Sequence, residues 1–184
     1  KFEKLVEEVL GGTRAGGTFQ MKDAYDVLET AVNEELSSPE KTTGKPLGSN
    51  LLESSDDPGR DASWAMATLR NLISQLPTQK VRSAGQELLQ QFSTPPQLAW
   101  LADKALSPQS DDVVMEPSAG TGSLVAMLRG MVRKVMVNEI DPHRREMLRM
   151  QGYENITDAD AEFLNGTLEA KGVTERPTAI VMNP

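Results

Sequence analysis

The first part of the chain carries apolar residues at intervals of three and four positions, which is the spacing of an amphipathic helix. Such residues recur from Phe2 to Leu10 and again from Ala24 to Val32. Gly11 and Gly12 separate the two stretches. Because glycine is a poor helix former, this pair indicates a break between two helices.

The stretch from Ser37 to Asp61 has the composition of a connection between elements. It is crowded with Ser, Pro, Gly, Lys and Asp, and we expect it to be mobile because it offers little to bury. Helical spacing returns from Ala62 to Leu76, ends at Pro77 and resumes from Arg82 to Gln90. The pattern therefore predicts a helical N-terminal region over residues 1–90, as a separate unit that packs beside the rest.

From residue 91 onwards, short runs rich in β-branched residues alternate with helical stretches. This alternation is typical of a parallel sheet with crossover helices, so an α/β, Rossmann-like domain is predicted over residues 91–184. The order is βαβα, then a loop, then β. The predicted elements are a helix opened by Thr94, Pro95 and Pro96 and ending at Leu106, strand Asp112–Glu116, helix Ser123–Arg129, strand Lys134–Glu139, helix Pro142–Met150 and strand Thr178–Met182.

The chain is acidic, with a formal net charge of -8, and contains no cysteine. Its apolar runs are far shorter than the roughly 20 residues that cross a bilayer, and no leader pattern opens it, so we expect a cytoplasmic protein without membrane contact. Proteins that bind nucleic acids usually hold the phosphates with clustered Lys and Arg. The negative charge therefore indicates that regions outside this chain supply the main grip on any nucleic acid.

A glycine-rich segment, Glu116 to Gly122, lies between the first predicted strand and the next helix. Glycines there allow a sharp turn and a close approach to a ligand. The segment has no Gly-Lys followed by Ser or Thr, which excludes a phosphate-binding P-loop. A dinucleotide fingerprint needs a third Gly or Ala where Val125 stands, which argues against NAD.

An acidic residue, Glu139, ends the second predicted strand. A carboxylate at this place can accept both ribose hydroxyls of an adenosine ligand, which is a feature of NAD and S-adenosylmethionine sites alike. The alternative is a solvated carboxylate. Asp141, directly before Pro142, has the character of a helix N-cap.

Taken together, the motifs of residues 91–184 resemble those of the class I S-adenosylmethionine-dependent methyltransferases. Within that class they are similar to the adenine-N6 DNA methyltransferases, which carry an Asn-Pro-Pro-aromatic motif. The five matching segments, in the order of the family, are Gln91–Pro96, Glu116–Gly122, Asn138–Asp141, Asp160–Leu164 and Met182–Pro184.

The resemblance implies S-adenosylmethionine as the cofactor and no metal ion. Thr94 would bind the cofactor's carboxylate, Glu116 its ammonium group and Glu139 its ribose, although Thr94 has the alternative role of a helix cap. Ile140 and Phe163 would enclose the adenine, unless Phe163 belongs to the core. The predicted cofactor-binding residues are Phe92, Thr94, Glu116, Pro117, Ser118, Ala119, Gly120, Gly122, Glu139, Ile140, Glu162 and Phe163. Glu162 takes the place of the family's usual aspartate beside the adenine amine.

The predicted catalytic residues are Asn183 and Pro184. The side-chain oxygen of Asn183 and the carbonyl of Pro184 are suited to accept the two hydrogens of an exocyclic amine. The base must first be flipped from its stack, and the aromatic residue that stacks on it in the family would follow Pro184. We therefore expect these 184 residues by themselves to transfer no methyl groups.

The resemblance favours DNA as the substrate over RNA, as in restriction-modification enzymes. Two alternatives stay open on the sequence. One is a methyltransferase that acts on a protein glutamine or on RNA and shares the same Asn-Pro start. The other is a noncatalytic cofactor-binding module of a larger phage or helicase-type protein.

Overall fold

A computed structural model of the chain describes residues 7, 13, 15–17, 21–41, 43–74 and 93–183. Several of the sequence predictions therefore lie outside the described residues, among them the helix break at Gly11 and Gly12 and the helix end at Pro77. Others are the helix at Phe2–Leu10 (apart from Glu7), the helix at Arg82–Gln90, the predicted cofactor residue Phe92 and the predicted catalytic residue Pro184.

The described part of the chain alternates helices and strands after residue 93, as predicted. The helices are α1 (Met21–Ser37), α2 (Leu47–Leu52), α3 (Pro58–Ser74), α4 (Pro96–Leu106), α5 (Pro142–Met150) and α6 (Leu164–Ala170), with short 3-10 helices at Ala126–Leu128 and Ala161–Phe163. The strands are β1 (Val113–Glu116), β2 (Lys134–Val137) and β3 (Ala179–Ile180). None of the described helices is long and apolar enough to cross a membrane.

The described strands form a small parallel sheet in the order β2-β1-β3. In the register of this sheet, Glu116 lies opposite Val137 and Met115 lies opposite Ile180. All four residues of β1 are buried, as expected for the central strand of a sheet that is covered on both faces. Because the strands are parallel, their carboxyl ends meet at one edge. The predicted α/β class is thus confirmed, with a small sheet compatible with part of a Rossmann-like fold.

One hydrophobic core joins the helices of the N-terminal region to the sheet. Leu36 of α1, Leu51 of α2 and Trp100 of α4 belong to the same buried cluster as Val114 of β1. The indole Nε1 of Trp100 also donates to the carbonyl of Leu51 at 2.8 Å. Helices α1 and α2 are therefore packed into the sheet's own core.

The segment 37–61 differs from the prediction. Its middle forms α2, in which Gly48, Ser49, Leu51 and Leu52 are buried. The expectation that this stretch has little to bury is wrong there, because one short apolar cluster was hidden by the polar residues around it. The pattern is also misleading at one position of α1, where the apolar residue Val27 is exposed.

The prediction of a helix over Ser123–Arg129 is also wrong, because the structure has only the 3-10 helix Ala126–Leu128 there. Every residue from 121 to 128 is buried, so this segment has no polar face of the kind that an amphipathic surface helix presents. The helix Pro142–Met150 is confirmed at both ends, and Asp141 caps it by accepting the amide hydrogens of His143 and Arg144. Strands β2 and β3 are shorter than predicted, and Asn138 continues from β2 as an isolated bridge to Thr157.

The packing of α2 against the 3-10 helix leads to a prediction at Gly48. A Cβ atom there would lie 2.7 Å from the Cα of Met127 and 2.9 Å from the carbonyl oxygen of Leu36. Since both atoms belong to the backbone, Gly48→Ala should lower the free energy of unfolding by about 1–3 kcal/mol. Urea denaturation followed by tryptophan fluorescence measures this change.

Gly59→Ala is the matched control. The nearest atom to a Cβ at Gly59 is 3.6 Å away, so this helical substitution should leave stability unchanged or raise it by about 0.4–1 kcal/mol. Equal stability of the two variants would contradict the close packing of α2.

Candidate functional site

The glycine-rich segment follows β1 and lies against the end of β2. The amide of Ala119 donates to the carbonyl of Asn138 at 2.8 Å, which joins the two strand ends. Gly120 and Gly122 have φ angles of +58° and +92°, a region that other residues rarely adopt. A Cβ atom at Gly122 would also lie 3.0 Å from Leu148, so this turn requires glycine.

Glu139 is bonded directly to this loop. Its Oε2 accepts the amide hydrogen of Gly120 at 2.7 Å, and its Oε1 accepts that of Asp141 at 2.8 Å. Burial raises the pKa of Glu139, and these two hydrogen bonds act in the opposite direction. A carboxylate has about four acceptor sites, so Glu139 can still accept hydroxyl groups from a ligand. The structure thus brings together two motifs that the sequence paired.

Asn138 connects three segments at this edge. Its side-chain Nδ2 donates to the carbonyls of Pro117 and Ala159, both at 2.9 Å, and its Oδ1 accepts the amide hydrogen of Ala159 at 3.0 Å. The sequence analysis quoted Asn138 within a motif but gave it no role. A buried amide at a strand end was the available signal.

Two carboxyl groups lie behind the loop in the protein interior. Glu116 is fully buried; its Oε1 accepts the amide hydrogen of Ser118 at 2.9 Å, while its Oε2 has no partner among the described residues. Asp103 of α4 is also fully buried, and neither of its oxygens has a partner there. Burial raises the pKa of Asp103 to about 8, with repulsion from Glu116 adding to it, and burial raises the pKa of Glu116 to about 7. Sequence reasoning missed Asp103, because an acid on a predicted helix reads as solvated.

Residues 160–163 of the predicted motif Asp160–Leu164 lie on the surface, and the side chain of Ile140 is exposed as well. Asp160 caps the 3-10 helix by accepting the amide hydrogen of Glu162 at 3.0 Å. Phe163 is 64% exposed and Ile140 is 51% exposed, so the alternative of a core role for Phe163 is wrong. Both apolar side chains, with the exposed Glu162, are open to a ligand.

Thr94 and Asn183, which lie 89 positions apart, are in contact. The side-chain Nδ2 of Asn183 donates to the Thr94 hydroxyl at 3.0 Å. This contact joins the first and the last of the five predicted motifs. Thr94 makes no cap bond to α4, since Pro95 is the N-cap residue and has no side-chain hydrogen bond.

The N-terminal helix α1 reaches the site through ion pairs that the sequence did not reveal. Arg144 of α5 and Asp26 of α1 are both buried, with Arg144 Nη2 3.3 Å from Asp26 Oδ1. Lys22 Nζ lies 3.2 Å from Asp141 Oδ2. These pairs attach α1 to the helix that begins directly after Glu139.

A cavity of about 160 Å³ lies between α1, the residues that precede α4, and Ser123, the residue after the glycine-rich segment. Its lining includes Glu29 and Asn33 of α1, residues 93–96 and Ser123. Asn33 Nδ2 donates to the carbonyl of Thr121 at 2.9 Å. Of these lining residues, Thr94 was predicted from the sequence, whereas Glu29 and Asn33 of α1 carry no sequence signal for a site.

The described ranges contain no group of three or more His, Asp or Glu side chains that is arranged to hold a metal ion.

Comparison with known proteins gives only short similarities. No family model matches the chain, and no solved structure matches it. It is 43% identical over 54 residues to an L-threonine 3-dehydrogenase of Rhizobium johnstonii and 41% identical over 54 residues to proteins of the same name from two strains of Rhizobium etli. Each match covers 29% of this chain and 15% of the relative's length.

The buried carboxyl groups predict a particular dependence of stability on pH. Asp103 and Glu116 hold their protons in the folded protein up to about pH 8 and about pH 7, above the ordinary values of 3.8 and 4.5. The unfolded chain binds fewer protons between these limits, so the free energy of unfolding should fall as pH rises from about 4 to about 8. Asp103→Asn, which keeps a neutral side chain of the same size, should reduce this slope and stabilise the protein at pH 8.

Urea denaturation at a series of pH values from 5 to 8.5 measures the slope. Glu154→Gln, at an exposed position, is the control and should leave the slope unchanged. If Asp103→Asn has the slope of the wild type, then Asp103 is ionised in the folded protein and the assignment is wrong.

Proposed function

We propose that this chain binds S-adenosylmethionine at the carboxyl edge of its sheet, as part of an enzyme that methylates the exocyclic amine of adenine in DNA. The observation that carries the proposal is the hydrogen bond from Asn183 to Thr94. Because the amide nitrogen of Asn183 donates to Thr94, its amide oxygen is left to accept a hydrogen from a substrate amine. The predicted catalytic residue thus lies next to a predicted cofactor residue.

The charge of the site supports a cationic ligand. S-adenosylmethionine carries an ammonium and a sulfonium group, whereas a dinucleotide carries an anionic pyrophosphate. Glu29 lines the cavity beside the glycine loop. Its carboxylate attracts a cation and repels a phosphate, so this environment favours S-adenosylmethionine.

NAD binding is the second candidate, because the short similarities are to proteins named as dehydrogenases. A pyrophosphate normally sits at the N-terminus of the helix that follows the glycine loop. In this chain the loop leads into the 3-10 helix Ala126–Leu128, and the buried Val125 stands where the fingerprint has its third glycine. These features favour S-adenosylmethionine over NAD.

In the proposed reaction the cofactor supplies an electrophilic methyl group. Asn183 Oδ1 accepts one hydrogen of the flipped base's amine, and the carbonyl of Pro184 accepts the other. These bonds would turn the nitrogen lone pair out of conjugation and stabilise the positive charge that develops on the nitrogen as the bond to the methyl carbon forms and the sulfur–methyl bond breaks. S-adenosylhomocysteine would then leave, and the methylated nitrogen would release one of its two protons to solvent. The acidic charge of the chain leaves the DNA phosphates to be held by Lys and Arg from elsewhere.

Cofactor binding tests the proposal through Glu139. We expect calorimetry to show binding of S-adenosylhomocysteine and none of NAD. Glu139→Ala should weaken the binding of S-adenosylhomocysteine by about 1.5–3 kcal/mol, because a ribose hydroxyl loses its charged acceptor. Tight NAD binding without any response to S-adenosylhomocysteine would favour the dehydrogenase alternative.

Glu146→Ala is the control, since it removes an exposed carboxylate from α5 and should leave the affinity unchanged. Glu139 also holds the amides of Gly120 and Asp141, so the melting temperature of Glu139→Ala must be measured. A folded Glu139→Ala variant with the wild-type affinity would remove Glu139 from the site.

Asn183→Ala tests the chemistry separately from cofactor binding. Its amide oxygen acts chiefly in the transition state, so the substitution should lower methyl transfer by about a hundredfold or more. Affinity for S-adenosylhomocysteine should change little. The measurement is transfer of a labelled methyl group to adenine-containing DNA by the active methyltransferase, and an unchanged rate would end the catalytic assignment.

A further inference from the structure

Glu29 reaches from α1 to two of the segments that form the candidate site. Its Oε2 accepts from the Ser93 hydroxyl at 2.5 Å and from the Thr121 hydroxyl at 3.2 Å. Ser93 precedes Thr94, and Thr121 lies between the two glycines of the loop. Helix α1 therefore places a carboxylate between the segment predicted for the methionine part of the cofactor and the glycine-rich segment.

Glu29 is half-buried, and its carboxylate has no direct ion pair in the described part of the chain. Burial raises the pKa of Glu29, and the hydrogen bond from Ser93 only partly offsets it. Its two hydrogen bonds both end on Oε2, and no described residue donates to Oε1. A cation in the adjoining cavity would supply the positive partner that this carboxylate lacks.

The same cavity, of about 160 Å³, is lined by Thr94. An amino acid carries its ammonium and carboxylate on the same carbon atom, so the groups that bind them must lie side by side. Glu29 and Thr94 meet this condition, with a carboxylate for the ammonium group and a hydroxyl for the carboxylate. Glu116, the residue expected from the resemblance to bind the ammonium group, is fully buried and bonded to the amide of Ser118.

We propose that Glu29 binds the ammonium group of the amino-acid part of S-adenosylmethionine. This inference rests on the proposed function, because it specifies one residue of the same site. It makes α1 a part of the cofactor site as well as a part of the core.

Two ligands that differ in the amino-acid part test the assignment. S-adenosylhomocysteine has the ammonium and carboxylate, whereas 5′-methylthioadenosine lacks both. Glu29→Gln should weaken the affinity for S-adenosylhomocysteine by about tenfold or more, since a charged contact is lost. The affinity for 5′-methylthioadenosine should stay within about twofold of the wild-type value. Glu35→Gln removes an exposed carboxylate from the same helix and should change neither affinity. Calorimetry on the whole chain measures the affinity of the wild type and of each variant for both ligands.

The outcomes separate this inference from the proposed function. A wild-type protein that binds neither ligand overturns both. If the wild type binds S-adenosylhomocysteine and Glu29→Gln leaves its affinity unchanged, or weakens both ligands equally, the inference fails while the function stands. If Glu29→Gln does not fold, Ser93→Ala is the deciding variant, because it removes the 2.5 Å hydrogen bond that holds Oε2 of Glu29. A selective loss of affinity for S-adenosylhomocysteine supports the inference, and an unchanged ratio of the two affinities overturns it.

Discussion

The arrangement of the candidate site depends on the hydrogen bonds of Asn138, the residue after β2. Its backbone and side chain bond to residues 116, 117 and 119, at the end of β1 and in the loop that follows, and to Ala159 before the 3-10 helix Ala161–Phe163. The neighbours of Asn138 in the chain, Val137 and Glu139, bond to Thr157. A buried amide that left these groups unpaired would cost several kcal/mol, so the three segments have one favourable arrangement. The parallel sheet brings the strand ends to one edge, and Asn138 determines where the following loops lie.

Around this edge the protein keeps more carboxyl groups than cations. Asp26 and Arg144 neutralise each other inside the structure, and Lys22 neutralises Asp141. Glu139 is held by backbone amides, while Asp103 and Glu116 are buried and keep their protons near neutral pH. A cationic cofactor, as we propose for this site, would meet the remaining carboxylates of Glu29 and Glu139.

Helix α1 links the N-terminal region to the candidate site. Its buried face is only partly apolar, since Asp26, Thr30 and Asn33 are buried together with Val32 and Leu36. The apolar residues pack into the core of the sheet, while Asp26 pairs with α5 and Asn33 bonds to the glycine-rich segment. The region predicted as a separate unit thus shares both the core and the candidate site.

The sequence by itself determined the features whose physics is local. The glycines of the turn, the capping of α5 by Asp141 before Pro142, and the buried run of β1 all follow from conformational preference or short-range pattern. Tertiary structure decided the rest. Glu29, Asn33 and Asp103 look like solvated helix residues until the chain brings Ser93, Thr121 and Glu116 beside them. The buried helix α2 and the 3-10 helix Ala126–Leu128 likewise depend on packing. Burial and long-range partners fix the role of a polar side chain, and neither is encoded in its immediate neighbours.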